Sequence, residues 1–354
     1  MGERPETGLR DAKNVTMRDI AKLAGVSQST VSRILNGAPV AIQISDTTRK
    51  RVLATAKEHG FRPNPMARAL RGASTMLLGA IVRDITNPFF ASVIDVIAQS
   101  AGERGYSVVL GHARARADEA LELAAVLEAR HCDAILLIGD FWEQPQLIED
   151  LEKDGIPVVA LWHGSHSHAF HSVDVDNEAG VRKALDHLTE LGHTRIAFVD
   201  GKPFGDIRDR EETYRSYNTE AGLSLPGEYV QHVENTFEAS QAALDALLRS
   251  RRIPSAIVAA TDVLALGLIG AAARYGIRVP EELSIVGFDD IAFAAASVPP
   301  LTTVHMPVGE MGEAAVELAV SVGREQTPVV RTFQPTLVVR GSTAPPGRSR
   351  RQTK

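Results

Sequence analysis

From residue 76 onward, short apolar runs alternate with stretches in which apolar side chains recur every three or four positions. The runs are Leu77–Val82, Tyr106–Leu110, Ala134–Ile138, Pro157–Leu161, Arg195–Val199, Ala256–Ala259 and Leu283–Gly287. Apolar runs alternating with helical stretches predict parallel strands covered on both faces by helices. There are enough of them for two doubly wound sheets. In such sheets the crevice beyond the strand ends is where ligands bind.

Between about residues 15 and 71 the pattern is that of short helices. Thr16-Met17-Arg18-Asp19 reads as a capping box opening a helix that runs to about Ala24, with Ile20, Leu23 and Ala24 on one face. Gly25 stands where a left-handed residue would stop that helix, Val26 fills the bend, and Ser27 caps a second helix ending near Leu35, before Asn36-Gly37. Two short helices joined by a tight glycine turn form a helix-turn-helix. In the second, Val31, Ile34 and Leu35 have the spacing of an inward face, leaving Gln28, Ser29, Ser32 and Arg33 outward. Ser45 starts a third helix whose predicted buried stripe is Val52, Leu53 and Ala56 and whose stop is His59-Gly60. A segment of about two turns follows at Arg62–Arg71, too short to hold a helix alone in water.

The charge of the 354-residue chain sharpens this division. Its net value is −6, yet residues 1–72 hold 13 Lys/Arg against 6 Asp/Glu, a local +7, and the remainder 25 against 38, a local −13. A basic head on an acidic body confines any contact with nucleic acid to one end. The outward residues of the second helix suit that contact: Gln28 can pair bidentately with adenine and Arg33 with guanine. Thr16, Ser27, Ser32, Asn36 and Arg68 are suited to phosphate oxygens, which set register without reading sequence. Leu70, apolar between Arg68 and Arg71, reads either as a linker residue tucked against the body or as a wedge between base pairs in the minor groove.

The stretch from Val15 through Gly25-Val-Ser-Gln-Ser-Thr-Val-Ser-Arg33 to Gly37, followed by Arg62–Leu70, resembles the LacI/GalR family of bacterial transcription repressors. That resemblance implies a cytoplasmic, nucleoid-associated homodimer on a palindromic operator, Gln28, Ser29 and Arg33 reading bases and Leu70 as the wedge. It also implies a periplasmic-binding-protein-like body of two α/β subdomains joined by three crossings, expected near Val173–Asp176, Ser297–His305 and Gln326–Phe333. The expected organisation is a disordered segment 1–14, a DNA-binding domain 15–61, a hinge helix and linker 62–75, a ligand and dimerisation body 76–343, and a basic tail 344–354. Within the body the first subdomain takes about 76–174 and 305–326, the second about 175–304 and 327–343. Ala38–Ile44 is longer than the usual loop at that place in the family.

The same resemblance points to a small-molecule effector, a sugar before a nucleoside or nucleobase, and no cofactor. In Asp84–Phe90 the rings of Phe89 and Phe90 can wall the ligand, or one of them can serve only the core. In Asp206–Tyr214, Arg210 takes the position that grips ligand oxygens, and in Gly287–Ile291, Asp289 is the hydroxyl acceptor; a structural salt bridge between these loops is the alternative. Thr261 stands where many relatives carry Asn. Trp162 and His163 replace an acidic residue, so Trp162 reads as an aromatic platform or as packing.

Other chemistry finds little support. His163, His166, His168 and His171 lack accompanying carboxylates or cysteine at ligand spacing, so no metal site is expected. No G-x-S-x-G elbow, Walker loop or Cys–His pair around the single Cys132 suggests an enzyme. A sugar-binding transport protein, the rival class, would need a signal peptide and no DNA head, the reverse of this chain. No apolar run reaches a membrane span.

Overall fold

The structure, a computed structural model, describes residues 15–36, 44–61, 74–141, 145–154, 156–162, 170–201, 205–223, 225–321 and 327–347. Among the residues singled out above, Gly37, Arg68, Leu70, His163, His166 and His168 lie outside the described residues, as do segments 1–14, 38–43 and 348–354. The chain divides into two units, residues 1–75 and 76–354.

The first unit carries α1 (Met17–Leu23), α2 (Gln28–Asn36) and α3 (Asp46–Glu58). The Thr16 hydroxyl accepts from the Asp19 amide while Asp19 accepts from the Thr16 amide, a reciprocal capping box. Gly25 holds φ +62°, the left-handed turn that lets the Val26 amide reach back to the Ala21 carbonyl. Ser27 then caps α2 through the Thr30 amide at 3.1 Å. Ile20, Ala21, Ala24, Val31, Ile34, Val52 and Ala56 form the core of this unit, with Val26, Leu35 and Phe61 packed at its edge. Leu23 and Leu53, predicted inside, are exposed at 56% and 47%. The cause is angular. At about 100° per residue, Ile20, Ala21 and Ala24 centre the buried face of α1 roughly 100° from Leu23, and the Val52–Ala56 axis of α3 lies similarly far from Leu53.

In the second unit the strands form two six-stranded sheets. The first contains β1 (Leu77–Val82), β2 (Ser107–His112), β3 (Ala134–Ile138), β4 (Val158–Leu161), β5 (His171–Val175) and a late strand, Val330–Phe333. The second contains β6 (Ile196–Asp200), β7 (Val230–His232), β8 (Ala256–Ala259), β9 (Ser284–Asp289), β10 (Thr302–His305) and the last strand, Thr336–Val338. With the late strand as β11 and the last as β12, the orders are β11-β5-β4-β3-β1-β2 and β12-β10-β9-β8-β6-β7, parallel except for β12, which runs against β10.

Central strands are apolar on both sides because both faces are covered. Leu78, Ala80 and Val82 face α4 (Pro88–Glu103) and a late helix (Val308–Ser321), while Ile81 faces α5 (Ala117–Ala129) and α6 (Pro145–Asp154). In the second sheet Ala197, Val199, Ile257 and Ile285 meet α9 (Ser240–Leu248) and α10 (Asp262–Arg274). The opposite face, Phe198, Val258 and Phe288, meets α7 (Asn177–Glu190) and α8 (Gly205–Glu220).

The chain passes between lobes after Val175, between His305 and Val308, and between Phe333 and Thr336. The second and third passages therefore fall later than the crossings expected at Ser297–His305 and Gln326–Phe333. Val330–Phe333 pairs with Ser172–Val175 of the first sheet, although 327 onward was expected in the second subdomain. Its side chains are only half-buried or exposed, so edge hydrogen bonding, with no apolar run, decides where it belongs.

The end of the described chain is pinned by buried His193, whose Nε2 lies 2.9 Å from the Ala344 carbonyl and 3.1 Å from Ser284 Oγ, with Nδ1 2.9 Å from Ser255 Oγ. Burial holds this imidazole below its usual range. His193→Ala is expected to cost about 1–3 kcal/mol at pH 7, read by urea unfolding, because buried hydroxyls and a carbonyl lose a partner. A depressed folded-state pKa means the contribution is present above the unfolded value of about 6.5 and is lost as pH falls below it. The wild-type Tm should therefore fall between pH 7 and 5, and less steeply in His193→Ala; equal slopes would show that His193 does not carry the effect.

Candidate functional sites: an exposed helix and an interlobe cavity

On α2 the inward residues Val31 and Ile34 anchor the helix, and the opposite side presents Gln28, Ser29 and Arg33 to solvent, with Ser32 half-buried. Ser27 and Ser29 share a 2.7 Å hydrogen bond at the start of the helix, so their hydroxyls are held beside its first-turn amides. Thr16 is exposed at the start of α1, and Asn36 closes α2. The helix N-terminus, with its hydroxyls and unfilled backbone amides, is suited to a phosphate oxygen.

In the body, a cavity of about 120 Å³ opens where strand ends of the two sheets face one another. The first lobe contributes Arg83 and Asp84 after β1, Asn87, Phe89 and Phe90 at the start of α4, Asp140 after β3 and Trp162 after β4. The second contributes Gly201 after β6, Asp206 and Arg210 on α8, Asn235 after β7, Thr261 before α10 and Asp289 at the end of β9. Every candidate ligand residue among the described residues, namely Phe89, Phe90, Trp162, Arg210, Thr261 and Asp289, lines this one cavity.

The first-lobe wall is aromatic. Asn87 caps α4 through the Phe89 amide, with Pro88 at the first helical position, so both rings are aimed by a helix start. Phe89 meets Trp162 edge to face at 5.0 Å between centroids and Phe90 at 5.4 Å. All three rings are buried in the main core as well as lining the cavity. The indole Nε1 of Trp162 is buried with no hydrogen-bond partner among the described residues.

The second-lobe wall is polar and tightly tied. Arg210 is 1% exposed; its Nε donates to Asn177 Oδ1 at 2.8 Å, Nη1 to the Ala260 carbonyl at 2.5 Å and Nη2 to Asp206 Oδ2 at 2.9 Å. Its guanidinium stacks 3.6 Å from the Phe288 centroid, and Asp289 Oδ1 lies 3.7 Å away. The structural salt bridge is thus present, within the cavity wall. Burial raises the Asp289 carboxyl well above the usual range, and the Arg210 charge opposes that rise.

Asp289 and Asp290 occupy left-handed φ of 122° and 55°. The turn is held by fully buried Asp262, which accepts from the Ile291 amide at 2.9 Å and the Thr303 hydroxyl at 2.5 Å. A Cβ at Gly287 would come within 2.1 Å of Asp262 Oδ1, so only glycine fits there. Burial lifts Asp262 to about 7, with its hydrogen bonds to Thr303 and Ile291 acting the other way. Thr261 Oγ1 donates to Asn235 Oδ1 at 2.6 Å and caps α10 through the Leu264 amide.

Arg83, Asp140 and Asn235 line the cavity without having been read from the sequence. Arg83 borders the cavity, its amide donating to the Ile138 carbonyl at 2.9 Å and its carbonyl accepting from the Ala115 amide at 2.7 Å. Its signal was positional: it directly follows an apolar strand, as Asp140 nearly does. Asn235 follows β7, a three-residue strand without an apolar run of its own, and no pattern marks it.

Comparison with known proteins converges on these features. Residues 16–64 match the family described as bacterial regulatory proteins, lacI family, and residues 185–343 match a periplasmic binding protein-like domain. The chain is 38% identical to the HTH-type transcriptional regulator MalR of Streptomyces coelicolor, over 93% of this chain and 96% of that protein. Among solved structures it resembles the lac repressor dimer bound to operator and the anti-inducer ONPF, at TM-score 0.81 and 26% identity over 94% of this chain and 100% of that one. It also resembles a complex of the transcriptional regulator CelR with cellobiose, at TM-score 0.69 and 30% identity over 92% of this chain and 99% of the other. With an N-terminal helix-turn-helix, a two-sheet body with a cavity between its strand ends, and 38% identity over nearly the full length of such a regulator, the chain belongs to the lacI family of bacterial regulatory proteins and is a DNA-binding transcription regulator, not an enzyme.

Proposed function

We propose that the protein is a sugar-responsive repressor of carbon-source genes that binds a palindromic operator as a homodimer. The observation that carries the sugar reading is the division of the cavity: an aromatic wall of Phe89, Phe90 and Trp162 faces Arg210, Asp289, Asn235 and Thr261. Ring faces suit the apolar face of a sugar, and paired, preoriented polar groups suit its vicinal hydroxyls, since a ligand without matching hydroxyls would leave them unpaired. The relative solved with cellobiose supports the same ligand class.

On the DNA side, Gln28, Ser29 and Arg33 read base edges, while Thr16, Ser27, Ser32, Asn36 and Arg68 hold phosphates and Leu70 wedges the minor groove. Effector binding favours one arrangement of the two lobes, and the hinge segment 62–75 passes that preference to the operator. Coupling of this kind needs differential affinity for two states, worth a few kcal/mol.

A thermal-shift series of sugars, sugar phosphates and nucleosides tests the ligand class. A sugar at 100 times its Kd should stabilise the body by about 2.7 kcal/mol, whereas a shift with nucleosides alone would replace the sugar reading. Asp289→Ala should abolish that shift and the effector's influence on operator binding while leaving operator affinity intact; a normal response would remove Asp289 from the site. Arg33→Ala or Gln28→Ala should weaken operator binding by about 1–3 kcal/mol and relax preference at one base pair. Leu70→Ala should lower operator affinity without changing effector affinity. An affinity for DNA that stays flat as salt rises would sink the repressor reading itself, since phosphate contacts impose a steep dependence.

A further inference from the structure

The carboxyl ends of β6 and β7 and the second turn of α8 bring together three side chains that are far apart in the chain: Asp200, Glu211 and His232. One ligand atom from each lies within 4.8 Å of the others. His232 Nδ1 is 2.6 Å from Asp200 Oδ1 and 4.0 Å from Glu211 Oε2. Asp200 is completely buried, and its Oδ2 has no hydrogen-bond partner among the described residues. Glu211 gives Oε1 to Arg215 and turns Oε2 toward the imidazole. His232 is about half exposed, which leaves the cluster a path to solvent.

Among the described residues, two carboxylates directed at one imidazole, with Arg215 on the far oxygen of Glu211, leave the buried Asp200 Oδ2 without a hydrogen-bond partner. An uncompensated buried carboxylate oxygen is costly and calls for a proton or a cation. An imidazole nitrogen with two carboxylates is a donor set for a divalent transition-metal ion rather than for calcium or magnesium, which take oxygen ligands alone. Two strand ends and a helix deliver the three donors, so their spacing in the chain carries no recognisable motif.

We propose that Asp200, Glu211 and His232 bind a divalent transition-metal ion. Neutral His232 ligates through Nδ1, and any proton that Nδ1 shares with Asp200 leaves to solvent as the metal enters. Asp200 precedes Gly201, Glu211 follows Arg210, and β7 leads into Asn235, all three neighbours lining the effector cavity. The ion thus braces the second-lobe wall of that cavity from behind, without needing to touch the effector.

The test uses the full chain with His163, His166 and His168 replaced by Ala, so that the histidine-rich segment does not compete. Cobalt(II) alone is titrated in, followed by its visible absorption and by calorimetry. One ion per chain is expected, with affinity falling about tenfold or more in both Asp200→Asn and His232→Gln, and a cobalt-dependent rise in Tm that disappears in His232→Gln. His232 lies at the surface, so that variant keeps the fold even if Asp200→Asn does not, and an unchanged far-UV circular dichroism spectrum confirms it. No cobalt binding, or binding unchanged in His232→Gln, would overturn the proposal; neither result bears on the sugar-responsive reading, which the thermal-shift series decides separately.

Discussion

Arg210 carries a permanent charge almost without access to water, so its donors must find acceptors inside the protein, and where they find them shapes the cavity. They reach Asn177 at the start of α7, the Ala260 carbonyl beyond β8 and Asp206 one turn back on α8, with Asp289 at the end of β9 close by and Phe288 beneath the guanidinium plane. A buried charge that lost one of these partners would be left uncompensated, a penalty of several kcal/mol. The network therefore ties two helices and two strand ends into one wall whose polar atoms are oriented before any ligand arrives. Preorganisation of this kind converts ligand contacts into affinity and selectivity rather than into ordering cost.

A second buried carboxylate completes that wall. Asp262 receives the Ile291 amide and the Thr303 hydroxyl, which fixes the left-handed Asp289–Asp290 turn and joins it to the strand from which the chain passes back to the first lobe. Asp290 extends the same tie outward, to Arg340 at 2.6 Å and His305 at 3.0 Å. The groups expected to sense ligand are thereby bonded to the segment where the lobes are joined. That is the arrangement a regulator needs if occupancy is to alter the relation between its lobes, since coupling travels through contiguous packed and hydrogen-bonded groups.

Much of this was legible in the chain. Local rules found the capping box at Thr16, the glycine turn at Gly25 and the inward residues Val31 and Ile34, because each depends on neighbours within one or two turns. Six of the seven apolar runs marked central strands for a similar reason, since a strand covered on both faces needs apolar positions on both, while Tyr106–Leu110 marked the edge strand β2. Legibility failed where burial or pairing is set at a distance. Leu23 and Leu53 are apolar at plausible helical spacing, but the packing of three helices chose a different arc. Val330–Phe333 and Thr336–Val338 are edge strands with polar or exposed positions, and only partners more than 30 residues away assign them to different sheets.

The sequence by itself determined the helix-turn-helix and the alternation that makes two α/β lobes, since these follow from periodicity, caps and motifs that act locally, and its family resemblance pointed to six residues of the cavity wall. Tertiary structure alone decided that Arg83, Asp140 and Asn235 join that wall, that Arg210 spends its donors on protein acceptors, and that Asp200, Glu211 and His232 meet. The physical reason is the same in each case. Charge pairing and convergence of strand ends act through space at 3–4 Å, and a one-dimensional pattern records only what neighbours along the chain must satisfy.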